Sequence, residues 1–274
     1  MRYREVQPAG AARRLIKCYW TLEHDASVSS PQRIIPDGRT ELILNLGQPY
    51  ESQTANGWES QPRCFFVGQI TGPLVLRAAG ATKMIGIRFH SHTAGRFLGA
   101  PVMELRDRAT GLDDISQKLF RDLNGVEEPA SLNRILEARV KRAGEDDPLL
   151  EFAVREFESR RREMSVRAVA QQAGLSARQF ERRFTSAVGI PPKLFSRMQR
   201  FQRVFPAIEA AHAGWADAAI QCGYYDQAHL IRDFQEFAGR APAALLGNET
   251  DLAWHFVPSG RVSHFSNTRA AGAC

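Results

Sequence analysis

The chain of 274 residues is 43% hydrophobic and 24% charged, with a formal net charge of +6. This length is enough for two ordinary domains, and the composition is typical of globular proteins. No apolar run approaches the ~20 residues that a membrane helix needs, and the N-terminus lacks the apolar core of a signal peptide. We therefore expect a cytoplasmic protein without a membrane partner.

The cysteines are too scattered for a thiolate zinc site, and no Cys-x-x-Cys pair occurs. This spacing favours a reducing compartment, and each thiol is most simply a small buried or incidental residue. The four are Cys18, Cys64, Cys222 and Cys274.

Residues 1 to about 110 contain short apolar runs, with turn chemistry at Pro36-Asp37-Gly38 and Asn56-Gly57. Several short strands with regular turns predict a sandwich or a small barrel. A small barrel is filled by its own side chains or holds one ligand, and the sequence leaves both open. Strands are predicted at residues 15–20, 41–46, 64–67, 74–76 and 84–89, and helices at 93–98, 112–123 and 131–142.

Two groups of polar residues in this region are candidates for a metal site or a polar pocket. His90 and His92, two apart on a predicted strand, would share a face, but no third metal ligand follows at a suitable spacing. Asp37, Arg39 and Glu41 would suit a polar pocket, although a capped turn and a strand edge explain them more plainly. We expect surface or core histidines, no metal and no cofactor.

A polar segment, Gly144-Glu145-Asp146-Asp147-Pro148, gives the best domain boundary, because it carries a Gly and a Pro and precedes a helical pattern. That helix is predicted from Leu149 to about Arg161. The aromatic residues of the last segment predict that part of it packs back on the body. We divide the chain into an N-terminal sensing or dimerisation domain at 1–146, a C-terminal domain at 147–247 and a tail at 248–274.

One pattern in the C-terminal part occurs twice, at an offset of fifty residues. Six pairs of chemically similar residues keep this offset, and two copies at fixed spacing indicate two copies of one supersecondary unit. The pairs are Ser176 and Asp226, Phe180 and Leu230, Arg182 and Arg232, Phe184 and Phe234, Gly189 and Gly239, and Pro192 and Pro242.

Each copy predicts a helix, a tight turn and a second helix. In the first copy, Ser165 is a suitable cap for the first helix, Gly174 permits the turn and Ser176 caps the second helix. In the second copy, Gly223 makes a turn that is one residue longer, and Asp226 caps the second helix. A helix-turn-helix unit of this kind can place its second helix in a DNA major groove.

The outward faces of the two second helices carry side chains suited to reading DNA. Arginine and glutamine pair bidentately with guanine and adenine edges. For one copy an ordinary solvated face explains the same residues equally well, but two copies in register weaken that explanation. The candidate DNA-binding residues are Arg178, Gln179, Glu181, Arg182 and Arg183 in the first helix and Gln227, Ala228, His229, Ile231 and Arg232 in the second.

Positive charge is concentrated around the first unit. Residues 160–203 hold 11 Lys and Arg against 2 Asp and Glu, which fits attraction to phosphate. For the run Arg160-Arg161-Arg162 alone, a solvated charge run is the simpler explanation.

A single helix from Pro192 to about Ala211 is predicted to join the two units. About 20 residues at 1.5 Å each span ~30 Å, close to the roughly 34–36 Å between successive major grooves on one DNA face. Pro206 departs from this pattern, because a proline inside a helix removes a hydrogen bond and clashes with the preceding turn. We expect a kink there or an end near Phe205, with a consequence for how far the DNA must bend.

The run from Gly223 to Phe234, followed by Gly239 and Pro242, closely resembles the second half of the DNA-binding domain of the AraC/XylS transcription regulators. The resemblance covers roughly residues 150–246 and implies a monomer that reads two successive major-groove segments on one DNA face. The N-terminal domain resembles, more weakly, the barrel-like domain of one branch of that family, which implies effector binding, dimerisation or both. The junction after the first half resembles the family's at Gly189, Pro192, Phe195 and Arg200. The resemblance implies base-facing positions at Arg178, Glu181, Arg182, Gln227, His229 and Arg232.

The expected fold is α+β with two domains, a mainly-β barrel-like or sandwich-like N-terminal domain with helices and an all-α C-terminal domain of two helix-turn-helix units joined by a helix. The predicted function is a sequence-specific DNA-binding transcription regulator and not an enzyme. Double-stranded DNA is the expected partner. RNA polymerase, a small effector and a second copy of the chain are left open, as are the operator and the sign of regulation.

Two alternatives belong to other classes. One is a DNA-repair or other enzyme with a DNA-binding appendage. Repair by methyl transfer needs an activated cysteine, typically between Pro and His, and no cysteine here has that setting. The other is a protein-interaction module whose units no longer touch DNA, and the basic stretch at 160–203 argues against it.

Overall fold

A computed structural model describes residues 1–25, 30–159, 165–211 and 215–242 of the chain. The predicted fold class is confirmed, since a β-rich N-terminal domain with helices precedes an all-α C-terminal domain. The strands are β1 (Arg2–Val6), β2 (Ile16–His24), β3 (Gln32–Ile34), β4 (Glu41–Asn45), β5 (Tyr50–Thr54), β6 (Gly57–Ser60), β7 (Cys64–Val67), β8 (Leu74–Ala78), β9 (Thr82–Phe89) and β10 (Ala109–Gly111).

The strands form two antiparallel sheets that pack as a sandwich rather than a closed barrel. The larger sheet has the order β1-β2-β9-β4-β7-β10, and the smaller has the order β3-β8-β5-β6. Successive residues of a strand point to opposite faces. Trp20 of β2 therefore packs with Tyr50 of the smaller sheet, whereas its neighbour Tyr19 packs on the opposite face under the helices.

Helices cover that opposite face. The helix predicted over residues 112–123 is wrong as a single element, because it is interrupted at Ser116. Ser116 has an extended backbone, and its side chain accepts a hydrogen bond from the backbone N–H of Leu119, so it caps a new helix. The helices are α1 (Ala94–Leu98), α2 (Leu112–Ile115), α3 (Gln117–Leu123) and α4 (Leu132–Arg142).

Both predicted helix-turn-helix units are present in the C-terminal domain. Ser165, Ser176 and Asp226 each accept a hydrogen bond from the backbone N–H three residues further on, as N-caps do. The turns contain Gly174 and Gly223 with φ of +68° and +82°, a region that favours glycine. The helices are α5 (Pro148–Glu158), α6 (Val166–Gln172), α7 (Ala177–Val188), α8 (Pro192–Ala211), α9 (Trp215–Gln221) and α10 (Gln227–Ala238).

The joining helix α8 lies at the centre of the C-terminal core. The ring of Phe195 lies 5.5 Å from that of Phe184 on α7, and the ring of Phe201 lies 4.9 Å from that of Phe234 on α10. All four side chains are fully buried. Because one helix makes aromatic contacts with both units, it sets their separation.

The joining helix runs from Pro192 through Pro206 to Ala211, which confirms the predicted bounds, so the alternative of an end near Phe205 is wrong. Phe205 is buried, and its ring lies 5.2 Å from Phe201 and 5.8 Å from Phe234. This core packing offsets the backbone hydrogen bond that a proline removes. Twenty helical residues give a joining element about 30 Å long.

The loop between β3 and β4 of the N-terminal domain packs against the joining helix. The side-chain amide of Gln199 donates to the carbonyl oxygen of Asp37 at 3.1 Å. The amide of Gln202 donates to the carbonyl oxygen of Pro36 at 2.6 Å. Ile35 is fully buried within the C-terminal core. The N-terminal domain therefore holds the helix that links the two units.

The N-terminal domain also lies close to the C-terminal ends of α7 and α10. A Cβ atom built on Gly189 would lie 3.4 Å from the carbonyl oxygen of Val102, and one on Gly239 would lie 3.2 Å from Pro73. Both glycines end their helices with a left-handed backbone, at φ of +93° and +64°.

His90 and His92 follow the end of β9, so they do not share a strand face as expected. The Nε2 atom of His90 lies 3.1 Å from the carbonyl oxygen of Arg13. Burial lowers the pKa of both imidazoles below the ordinary value of 6.5. Within the described ranges, no group of three or more His, Cys, Asp or Glu side chains is arranged to hold a metal ion.

These histidines should make the protein less stable as the pH falls below about 6.5. The unfolded chain takes up protons near that pH, whereas the folded imidazoles resist protonation until the pH is lower, so the free energy of unfolding rises with pH across this window. His92→Gln should flatten this dependence in urea unfolding between about pH 5 and 7. An equally steep dependence in the variant would contradict the assignment.

The three cysteines that the structure describes are buried and unpaired. Burial raises the pKa of Cys18 and of Cys64 to about 12. None of the helices described is long and apolar enough to cross a membrane. The arginine run at 160–162 and the whole of the segment assigned as a tail, including Cys274, lie outside the described residues.

Candidate nucleic-acid interface

The first candidate helix, α7, is buried on one face and exposed on the other. Phe180 and Phe184 are fully buried, whereas Arg178, Glu181 and Arg182 are exposed. Their exposure follows from the 3.6-residue helical period, which places the two phenylalanines on a common inward face. The predicted polar face of α7 is thus open to a ligand.

Two predicted residues of α7 have partners within the protein. The Oε1 atom of Gln179 accepts a hydrogen bond from the backbone N–H of Ser176 at 3.1 Å and closes a capping box. Arg183 donates to the carboxylate of Asp147, the N-cap of α5, at 2.8 and 3.1 Å. Among the described residues, the other three predicted side chains of this helix have no such partner.

The second candidate helix, α10, begins at the cap Asp226 and has the same division of faces. Leu230 and Phe234 are fully buried. His229 is only half-exposed, because its Nε2 atom lies 3.1 Å from the Nη2 atom of Arg200. The other predicted residues, Gln227, Ala228, Ile231 and Arg232, are exposed.

A buried carboxylate links α10 to the joining helix. Asp233 is 1% exposed and accepts hydrogen bonds from Arg197 at 2.7 Å and from Arg200 at 3.4 Å. Arg200 also lies over the ring of Tyr224 at 4.5 Å, and Arg197 also pairs with Glu236 at 2.6 Å. Sequence reasoning missed this network, since no local pattern shows that the two helices meet at these positions.

Two grooves accompany the candidate helices. One, of about 940 Å³, follows the exposed face of α7 and is bounded on one side by Met103 of the N-terminal domain. The other, of about 790 Å³, lies between the start of α6, the joining helix and α10. The cationic and imidazole side chains of this second groove are Lys193, Arg197, Arg200, His229 and Arg232.

A third cavity lies between the two sheets of the N-terminal domain, with a volume of about 70 Å³. Asp37, Arg39 and Glu41 all line it, but most of its other lining residues are apolar, so it is not a polar pocket. Asp37 also makes the expected turn, accepting a hydrogen bond from the backbone N–H of Arg39 at 2.9 Å. A water molecule occupies ~30 Å³ in the liquid, so this space has room for about two waters.

Comparison with known families agrees with the helix-turn-helix geometry. Residues 169–248 match a helix-turn-helix domain family of the AraC type. The chain therefore carries the helix-turn-helix domain of AraC-type DNA-binding transcription regulators. Residues 4–110 match a domain family of unknown function. A search of curated proteins gave no significant match.

Three solved structures illustrate the similarity of this protein to others. The DNA-binding domain of AdpA, a global transcriptional factor in complex with a target DNA, is 28% identical; the match covers 37% of this chain and 92% of that chain, with a TM-score of 0.34. ToxT from Vibrio cholerae is 11% identical; the match covers 84% of this chain and 98% of that chain, with a TM-score of 0.45. ToxT with a bound unsaturated fatty acid is 9% identical; the match covers 83% of this chain and 94% of that chain, with a TM-score of 0.44.

Proposed function

We propose that this protein is a regulator of the AraC family and reads two successive major-groove segments on one DNA face, with α7 and α10 as its reading helices. The observation that carries the proposal is the pair of capped helices with exposed polar faces, both packed on one joining helix. The length of that helix, about 30 Å, is close to one turn of DNA. Among the described residues, the proposed reading positions of both helices are exposed apart from His229, which is half-exposed.

Arg182 and Arg232 are the side chains that we propose for base contacts. Both are exposed, neither forms an ion pair within the described parts of the chain, and they occupy equivalent positions in the two units. A bidentate arginine contact to guanine is worth about 1–3 kcal/mol of discrimination. Arg178, Glu181, Gln227, Ala228, His229 and Ile231 complete the proposed reading faces, whereas Gln179 and Arg183 also serve the caps described above.

Arg232→Ala should lower affinity for the specific site by about 10-fold to 100-fold while leaving non-specific affinity nearly unchanged. A base contact is lost only where the correct base is present. The measurement is a gel shift at fixed salt on a selected operator and on scrambled DNA, with the operator found by oligonucleotide selection. Arg121→Ala, at an exposed position of α3 in the N-terminal domain, is the control and should bind both DNAs as the wild type does. An equal loss on both DNAs would show that Arg232 contacts phosphate.

The N-terminal domain is proposed to sense an effector, to dimerise or both, and we propose the division into residues 1–146, 147–247 and 248–274. The hydrophobic cores support this division, because the two domains have separate cores. Among the described residues, Ile35 is the only buried core residue of the N-terminal domain that belongs to the C-terminal core. The cavity between the sheets has a volume of about 70 Å³, whereas drug-sized ligands need about 300 Å³ or more. As an effector site it would therefore have to widen by movement of its loops. RNA polymerase is a further proposed partner.

We further propose that the protein is not an enzyme and works in the cytoplasm. Thiol chemistry of the repair type needs an accessible thiolate. Cys18, Cys64 and Cys222 are buried, and burial raises the pKa of each of these thiols, so the thiolate is disfavoured at all three.

A further inference from the structure

We propose that the groove between the two units, here called the phosphate groove, holds DNA backbone phosphates that lie between the two segments read by α7 and α10. The phosphate groove is the 790 Å³ groove bounded by the start of α6, the joining helix and α10. This inference rests on the proposed function. If two reading helices occupy successive major grooves, the intervening backbone, with one charge per ~1.7 Å of duplex, passes between them.

The charge of the phosphate groove suits an anionic backbone. Lys193 is exposed at its wall and forms no ion pair within the described ranges. Arg197, whose side chain is 30% exposed, also lines the groove, and Arg232, proposed above for a base contact, adds a further positive charge. The two carboxylates of the groove differ sharply, since the side chain of Asp233 is 1% exposed and that of Glu236 is 49% exposed.

Glu236 is the group that a phosphate would replace. It accepts hydrogen bonds from Arg197 at 2.6 and 3.1 Å, in the two-pronged geometry that arginine also makes with phosphate. An exposed ion pair contributes only ~0–1 kcal/mol, so exchanging one anion for another costs little. Asp233, bonded to the same guanidinium at 2.7 Å from the buried side, would keep Arg197 oriented during the exchange.

Two substitutions with opposite expected signs test the phosphate groove. Lys193→Gln should weaken binding to specific and scrambled DNA alike, and should reduce the slope of log K against log salt by about 0.9, the value for one phosphate contact. Glu236→Gln should tighten binding to both DNAs by roughly fivefold at low salt, because it removes a competing anion from Arg197. Fluorescence anisotropy titrations at several salt concentrations give both quantities.

The control is Lys118→Gln, at an exposed position of α3 in the N-terminal domain, which should leave affinity and slope unchanged. Thermal unfolding of each variant checks that the fold is retained. If the wild type binds no DNA, the proposed function itself fails. If Arg232→Ala loses sequence discrimination while Lys193→Gln and Glu236→Gln behave as the wild type, the function stands and the phosphate groove is overturned. Weaker binding by Glu236→Gln would equally overturn it.

Discussion

Asp233→Ala should lower the free energy of unfolding by about 3 kcal/mol, because it leaves two arginines next to a buried position without their shared carboxylate. Asp233 is 1% exposed, and Arg197 and Arg200 approach it at 2.7 and 3.4 Å. Removing one partner of a buried pair costs more than the pair itself contributes, since the remaining charge is poorly solvated. Urea unfolding followed by circular dichroism measures the change.

Glu236→Ala is the matched control for this prediction. Glu236 binds the same guanidinium of Arg197, at 2.6 Å, but its side chain is 49% exposed and water replaces it readily. The expected loss of stability is below about 1 kcal/mol. Equal losses for the two variants would show that burial does not distinguish the carboxylates. A small loss for Asp233→Ala would show that Arg197 and Arg200 find other partners without cost.

The helix-turn-helix units were predictable because their determinants are local. Ser176 and Asp226 cap through their own side chains, and Gly174 and Gly223 supply a backbone conformation that other residues avoid. The apolar period then fixes which face is exposed. The reading faces follow from these features, although the sequence does not show that Arg183 is also held by the cap of α5.

Half of the described strands could not be predicted from the sequence, for a physical reason. The strand Tyr50–Thr54 is mostly polar, and Arg2–Val6 lies at a sheet edge with four of its five residues exposed, so neither shows an apolar run. Their conformation depends on pairing with other strands, β2 for the first of them and β6 and β8 for Tyr50–Thr54. Capping likewise explains why Ser116 divides a predicted helix. Core packing explains why Pro206 does not end the joining helix.

The phosphate groove could not be predicted from the sequence either, because it too depends on contacts between elements. Lys193, Arg197 and Arg200 belong to the joining helix, whose assigned role was to set a distance. Only the packing of α10 against that helix brings them beside Arg232. The joining helix therefore has two roles in our interpretation, one as a spacer and one as a wall of the DNA-binding surface.

Gly38→Ala should destabilise the contact between the domains by about 3 kcal/mol. Gly38 has φ of +78°, which costs an L-residue about 1–2 kcal/mol, and a Cβ atom there would collide with the side chains of Gln199 and Phe195 on the joining helix. Overpacking of such a site typically costs a further ~1–3 kcal/mol. Proteolysis under native conditions, together with urea unfolding, measures whether the domains separate before they unfold.

The control for Gly38 is Gly99→Ala. Gly99 has a similar φ of +70°, but nothing lies within 4 Å of the Cβ position, so only the backbone cost of about 1–2 kcal/mol is expected. If the domain contact restrains the joining helix, Gly38→Ala should also change DNA affinity, because Gln199 and Gln202 are the residues that hold that helix to the loop. Equal effects of the two variants on stability and no change in DNA affinity would show that the contact is passive. A change confined to Gly38→Ala would place control of the two reading helices in the loop between β3 and β4.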